Sequence, residues 1–119
     1  MAGKPELFII MFRAEIENSI EDAISLEGLY AGRFKSKEIS GHVYNENEAF
    51  LAREIAGLKE LLKFLESFDP ARFSRVEDIA NEAGSMIKKK VADYEDPEAV
   101  YAIVSRKIKK ILTYLNLWD

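Results

Sequence analysis

Four segments of the chain carry apolar residues at steps of three and four, and no proline interrupts their interiors. Because an α-helix repeats every 3.6 residues, this spacing places the apolar side chains on one helical face. We therefore predict helices over about 5–25, 46–67, 75–93 and 97–117. The predicted core positions are Phe8, Phe12, Ile16, Ile20 and Ala23 in the first helix; Leu51, Ile55, Leu58, Leu62 and Leu65 in the second; Val76, Ile79, Ala80, Ala83, Ile87, Val91 and Tyr94 in the third; and Val100, Ile103, Val104, Ile108, Ile111, Leu112 and Leu115 in the fourth.

The three prolines all sit where a helix can begin, because the missing N–H of proline costs no hydrogen bond at the first helical position. Asp69-Pro70 and Asp96-Pro97 also place a capping carboxylate ahead of the proline. The short connections after the second and third helices favour antiparallel neighbours. These signals predict an all-α fold, a four-helix antiparallel (up-down-up-down) bundle that forms one domain over residues 1–119.

The segment 26–44 does not fit this pattern, because it holds three of the six glycines and the only histidine. A structureless connection of that length is uncommon in a compact domain. We predict an irregular or short hairpin insertion between helices 1 and 2, with 30–34 pairing with 39–43. The alternative is that helix 1 continues and a short extra helix follows.

Composition narrows the classes of function. The chain has 119 residues, 48% of them hydrophobic, no cysteine and a net charge of −4. Disulfides and cysteine-based zinc sites are therefore excluded, and a strongly basic nucleic-acid module is disfavoured. The longest apolar run, 7–12, is far shorter than the roughly 20 residues of a membrane span. Charged residues follow that run without a small-residue cleavage site, so we expect a cytoplasmic protein with no membrane partner. We also expect no cofactor.

Charge is segregated along the chain. Residues 14–32 contain five acids and no base, whereas residues 99–118 contain four bases and no acid. Since the first and last helices of such a bundle are neighbours, we expect acidic and basic flanks to face each other. The alternative is a surface that binds anions or nucleic acid. Its candidate residues are Arg33, Lys35, Lys37 and His42 in the insertion, and Arg106, Lys107, Lys109 and Lys110 on helix 4.

Two ionisable residues fall inside apolar stripes. Glu54 lies among the leucines of helix 2, and Lys107 has a similar position in helix 4. A buried charge must be paired or neutralised, because burying it alone costs several kcal/mol. We therefore predict Glu54 and Lys107 as buried polar residues, with an ion pair from Glu54 to Lys107 or Arg13 as the structural interpretation.

A metal-dependent hydrolase is a further alternative. Glu17 with Glu21, and Asp78 with Glu82, are each four residues apart and can present two carboxylates on one helix face. Such carboxylates are ligands that Mg²⁺ accepts. The single His42 belongs to no Glu-x-x-His motif, and no nucleophile–base pair is recognisable. We assign no catalytic residue and no metal ligand, and the sequence favours a non-enzymatic role.

The chain carries more apolar surface than four core stripes require. The start of helix 1 is apolar all round, and helix 2 has a second stripe beside the first. Because monomers rarely expose large apolar patches, we expect a protein–protein interaction module, most simply a homodimer. The candidate interface residues are Leu7, Ile10, Met11, Phe50, Leu61, Phe64 and Phe68, with Leu117 and Trp118 as side chains that can dock on the same patch. The sequence names no substrate and no partner.

Overall fold

The computed structural model describes residues 3–93 and 97–116 of the chain. Within these ranges the protein is all-helical, with four α-helices, two short 3-10 turns and no strand. The helices are α1 (Lys4–Lys35), α2 (Gly41–Leu65), α3 (Val76–Lys90) and α4 (Pro97–Asn116), and the 3-10 turns are Pro70–Arg72 and Val91–Asp93. The all-α prediction is confirmed. The predicted core position Tyr94 and the predicted docking residues Leu117 and Trp118 lie outside the described residues.

The insertion predicted between the first two helices is not formed. Helix α1 continues ten residues beyond Ser25, and α2 begins at Gly41, so the connection is only residues 36–40. The hairpin is therefore wrong, because both of its strands are mostly helical. The alternative was right that helix 1 continues. The short extra helix does not form, because residues 36–40 are the connection and residues 41–44 belong to α2.

The chain divides into two compact units. The first unit is built from the residues up to Glu15 and those from Phe64 onward, and the second is Ile16–Lys63. The first unit thus contains the start of α1, the end of α2, α3 and α4. The second consists of the remaining 20 residues of α1 and the first 23 of α2, with the connection between them.

The first unit has a continuous apolar core. It comprises Phe8, Phe12, Leu65, Val76, Ile79, Ala80, Ala83, Ile87, Val91, Val104, Ile108, Ile111 and Leu115. The rings of Phe8 and Phe12 are tilted against each other with centroids 5.7 Å apart. Helices α3 and α4 approach closely at Gly84, where an added Cβ would lie 3.9 Å from Ile108 Cδ1. Of the stripes predicted for α3 and α4, the positions in this core are confirmed as buried, whereas Leu112 is half-buried and Ile103 is exposed.

The second unit has a much smaller core. Its buried hydrophobic residues are Ile16, Ile20, Ala23, Leu51 and Leu61. The predicted core residues Ile55, Leu58 and Leu62 are half-buried. The stripe predicted for α1 is confirmed throughout, since its five members from Phe8 to Ala23 are all buried.

Candidate functional site

The connection between α1 and α2 is held by two capping arrangements. Lys37 adopts the left-handed conformation with φ 65°. The N–H of Glu38 donates to the carbonyl of Arg33 at 2.9 Å, and the N–H of Lys37 donates to that of Phe34 at 3.1 Å. This is a Schellman motif, in which glycine usually occupies the left-handed position. Helix α2 then starts with a serine cap, because the N–H of Val43 donates to Ser40 Oγ at 3.2 Å.

Four of the predicted binding residues lie at this junction of the two helices. Arg33 and Lys35 lie in the last turn of α1, Lys37 in the connection and His42 at the start of α2, and all four are exposed. Two of them have acidic partners nearby: His42 Nε2 lies 3.0 Å from a carboxylate oxygen of Glu46, and Arg33 Nε lies 4.0 Å from one of Glu38.

Two aromatic rings stack beside this junction. Phe34 at the end of α1 and Tyr44 at the start of α2 have centroids 4.8 Å apart and an interplanar angle of 14°. The negative charge of Glu48, followed by desolvation and by a smaller effect of Glu27, raises the pKa of the Tyr44 hydroxyl. The stack does not bury its members, because Phe34 is exposed and Tyr44 half-buried.

The four basic residues predicted on α4 divide into two pairs. Lys107 Nζ lies 3.3 Å from one carboxylate oxygen of Glu15, and Lys110 Nζ lies 2.9 Å from the other. The hydrogen bonds that Lys110 and Lys107 donate hold the pKa of the Glu15 carboxyl below its usual range. Arg106 and Lys109 are exposed. The expected meeting of acidic α1 and basic α4 is therefore confirmed at Glu15.

The predicted buried polar pair needs correction. Glu54 is exposed, so the prediction that it is a buried carboxylate is wrong. The face of α2 that turns inward carries Leu51, whereas Glu54 shares the outward side with Phe50. Lys107 is half-buried rather than buried, and its partner is Glu15. Glu54 therefore lies at the surface of α2 rather than in the core.

The predicted interface residues have three fates. Phe50 is 59% exposed, and Leu7 and Ile10 are also exposed. Met11, Phe64 and Phe68 are half-buried. Leu61 is fully buried, so its assignment to an interface is wrong. The burial of the second stripe therefore varies along α2, from the exposed Phe50 through the buried Leu61 to the half-buried Phe64.

Five exposed hydrophobic residues of the second unit were not among the predicted interface residues. They are Ile24, Leu26, Leu29, Phe34 and Val43. All five lie in the second unit, in the parts of α1 and α2 next to their connection. Four of them, all but Ile24, fall in the segment 26–44 that was misassigned as an insertion, and only a continuous helix places Leu26 and Leu29 on one face. The signal that could have found them is the step of three between Leu26 and Leu29.

Two hollows lie on the surface of the first unit. One of about 260 Å³ is lined by Phe68, Phe73 and Met86 together with Asp69 and Arg72. The other, of about 420 Å³, lies where the start of α1 meets the segment 73–77. Neither contains a buried polar side chain left without a hydrogen-bond partner, among the residues that the structure describes.

The described residues contain no group of three or more histidine, aspartate or glutamate side chains placed to hold a metal ion. No helix in the described ranges is both long and apolar enough to cross a bilayer. No family model, curated protein or solved structure matches the chain. The anion-binding and hydrolase alternatives therefore stay predictions from the sequence.

Proposed function

We propose that the protein is a non-enzymatic, cytoplasmic interaction module that self-associates through its second unit, residues 16–63. The observation that carries the proposal is a run of 27 residues, 24–50, in which none is buried. That run nevertheless holds six exposed large hydrophobic residues, namely Ile24, Leu26, Leu29, Phe34, Val43 and Phe50.

The balance of buried and exposed apolar residues supports this role. Within the second unit, five hydrophobic residues are buried and six large ones are exposed, whereas the described part of the first unit buries 13 and exposes four large ones. When a partner covers exposed apolar side chains, the burial is favourable by about 25 cal/mol for each Å² of apolar area removed from water. Exposed apolar surface of this kind is typical of a protein–protein interface.

The charge pattern gives a weaker case for the anion-binding alternative. Two of the four basic residues on α4 are already engaged by Glu15. The second unit itself carries nine acids and six bases, counted over residues 16–63. An excess of acidic groups repels polyanions at long range. The apolar surface is therefore the stronger basis for a function.

Sedimentation velocity over a micromolar-to-millimolar concentration range tests the proposal. We expect the wild-type mass to rise from 13.6 kDa towards twice that value as concentration increases. Leu29→Ser should weaken self-association by roughly tenfold, because it removes an apolar contact from the interface. Leu29 is 48% exposed in the isolated chain, so its replacement leaves the core intact.

A matched control is available in the first unit. Ile103 is 47% exposed and lies on α4. Ile103→Ser should leave the association constant unchanged, since the residue lies outside the second unit. A mass of 13.6 kDa at every concentration, or an equal effect of the two substitutions, would contradict the proposal.

A further inference from the structure

One exposed stripe of α1 is arranged as the seam of a coiled coil. Asp22, Leu26, Leu29 and Arg33 follow one another at steps of four, three and four, so they lie on one helix face. All four are exposed. The buried residues Ile20 and Ala23 are on a different side of the same helix. The stripe has leucines in the middle and opposite charges at its two ends.

The chemistry of this stripe is symmetric about its middle. Leu26 and Leu29 are centred on the point between Glu27 and Gly28, and Asp22 and Arg33 are centred on the same point. A two-fold axis through that point, perpendicular to the helix, brings leucine against leucine and carboxylate against guanidinium. A parallel arrangement would instead place each charge against its own copy, which is unfavourable.

We propose that the partner of the second unit is a second copy of this chain, and that the two α1 helices pair antiparallel along the stripe. Leu26 of each copy packs against Leu29 of the other, and Asp22 of each copy pairs with Arg33 of the other. An isologous contact of this kind closes on itself and gives a dimer rather than a filament. The inference rests on the proposed function and adds its partner and register.

The surrounding charges fit the same arrangement. From residue 16 to 32, α1 has four acids and no base, whereas residues 33–37 contain three bases and no acid. Antiparallel pairing places residues 33–37 of each copy against residues 18–22 of the other, which contain Glu21 and Asp22 and no base. Arg33 is free to exchange partners, because its contact with Glu38 is a long 4.0 Å and both side chains are about half or more exposed.

Charge reversal at the two ends of the stripe tests the register. Asp22→Arg and Arg33→Asp each place like charges opposite one another in the homodimer, so each should weaken self-association by roughly tenfold. Mixing the two variants restores both opposite-charge pairs. We expect the mixture to associate within about threefold of the wild type, measured by sedimentation at physiological salt.

The double variant Asp22→Arg/Arg33→Asp provides an independent check, since it restores both pairs within one chain. It should dimerise like the wild type, with unchanged helicity by circular dichroism. Glu21→Arg and Lys35→Asp are the matched controls, because they make the same charge changes on α1 outside the stripe. Each should alter association by less than about threefold when salt screens distant charges.

The outcomes separate this inference from the proposed function. A wild-type chain that stays monomeric overturns both. A wild-type dimer whose reversal variants still self-associate, or whose mixture shows no recovery, overturns the antiparallel register alone. Loss of association in the Glu21→Arg control equal to that in Asp22→Arg would likewise overturn the register, since it would show a nonspecific effect of charge.

Discussion

Lys37 is the one non-glycine residue with a positive φ among the described residues. A left-handed conformation costs an L-residue about 1–2 kcal/mol, because Cβ crowds the following carbonyl. The chain accepts that cost at the end of α1, where the two capping hydrogen bonds turn the backbone towards α2. The left-handed conformation of Lys37 therefore marks the end of the 32-residue helix α1.

Lys37→Gly should raise the free energy of unfolding by about 0.5–1 kcal/mol, because glycine adopts this conformation without strain. Urea unfolding at neutral pH measures the change. Lys37→Ala is the control, since it removes the same charge but keeps Cβ. An equal gain from alanine would show that the charge, rather than the backbone, was the source of the effect.

Glu15 contacts two lysines of α4 within the first unit. Because the folded protein lowers its pKa, its ion pairs contribute stability above the ordinary glutamate pKa of about 4.3, and that contribution is lost as the pH falls below it. Glu15→Gln should lower the free energy of unfolding by about 1 kcal/mol at pH 7.

The deficit of Glu15→Gln should be smaller at pH 3 than at pH 7, because protonation of the wild-type carboxyl at falling pH removes the charge that the lysines stabilise. Urea unfolding of both proteins at the two pH values checks this dependence. Glu17→Gln, on the exposed side of the same helix, should have no comparable effect. A deficit of the same size at both pH values would mean that the carboxylate charge is not responsible.

At the scale of the elements, the sequence predicted the helices correctly where their apolar positions are buried. The five apolar positions from Phe8 to Ala23 keep their spacing because every one of them is buried. The end of α1 was misjudged because Gly28 and Gly32 are weak helix formers. The structure keeps both in the helix, whose neighbouring residues Tyr30 and Ala31 are half-buried.

The cap at Asp69 was predicted correctly, but the length of the helical segment that follows it was not. Asp69 does accept a hydrogen bond from the Ala71 N–H at 3.0 Å, as its place before Pro70 indicates. Only a three-residue 3-10 turn follows, and the chain becomes extended at Phe73. Helix α3 starts only at Val76, and its N-cap residue Arg75 makes no side-chain capping hydrogen bond. Propensity sets where a turn begins, whereas tertiary packing sets how far a helix runs.

The packing of α3 against α4 leads to a prediction at Gly84. Gly84→Ala should raise the free energy of unfolding by about 0.5–1 kcal/mol, since the new methyl group makes an ordinary contact with Ile108 and alanine favours the helix. Gly84→Leu should lower it by about 1–3 kcal/mol through overpacking.

Gly28 serves as the control for this pair, because nothing lies within 4 Å of a Cβ built there. Both Gly28→Ala and Gly28→Leu should be stabilising in thermal unfolding. A destabilised Gly84→Ala, or a Gly84→Leu as stable as the wild type, would show that α3 and α4 do not approach as closely as the structure indicates.

At the scale of the whole molecule, the two units differ in how completely they bury their apolar residues. Sequence periodicity indicates that helix 2 has two apolar stripes, but it does not say where along the helix each is covered. Leu61 is buried and Phe50 exposed, although both belong to the second stripe. The candidate surface was therefore predictable only in part, because exposure depends on which helices cover each level of α2.

Hydrogen exchange at low and high protein concentration tests the central claim most directly, because it both detects association and locates it. We expect exchange over residues 22–50 to slow as concentration rises, most strongly over 22–33, with no change over 76–90 and 101–116. Concentration-independent exchange over 22–50, or slowing confined to α3 and α4, would contradict the claim that the second unit is the surface through which this protein self-associates.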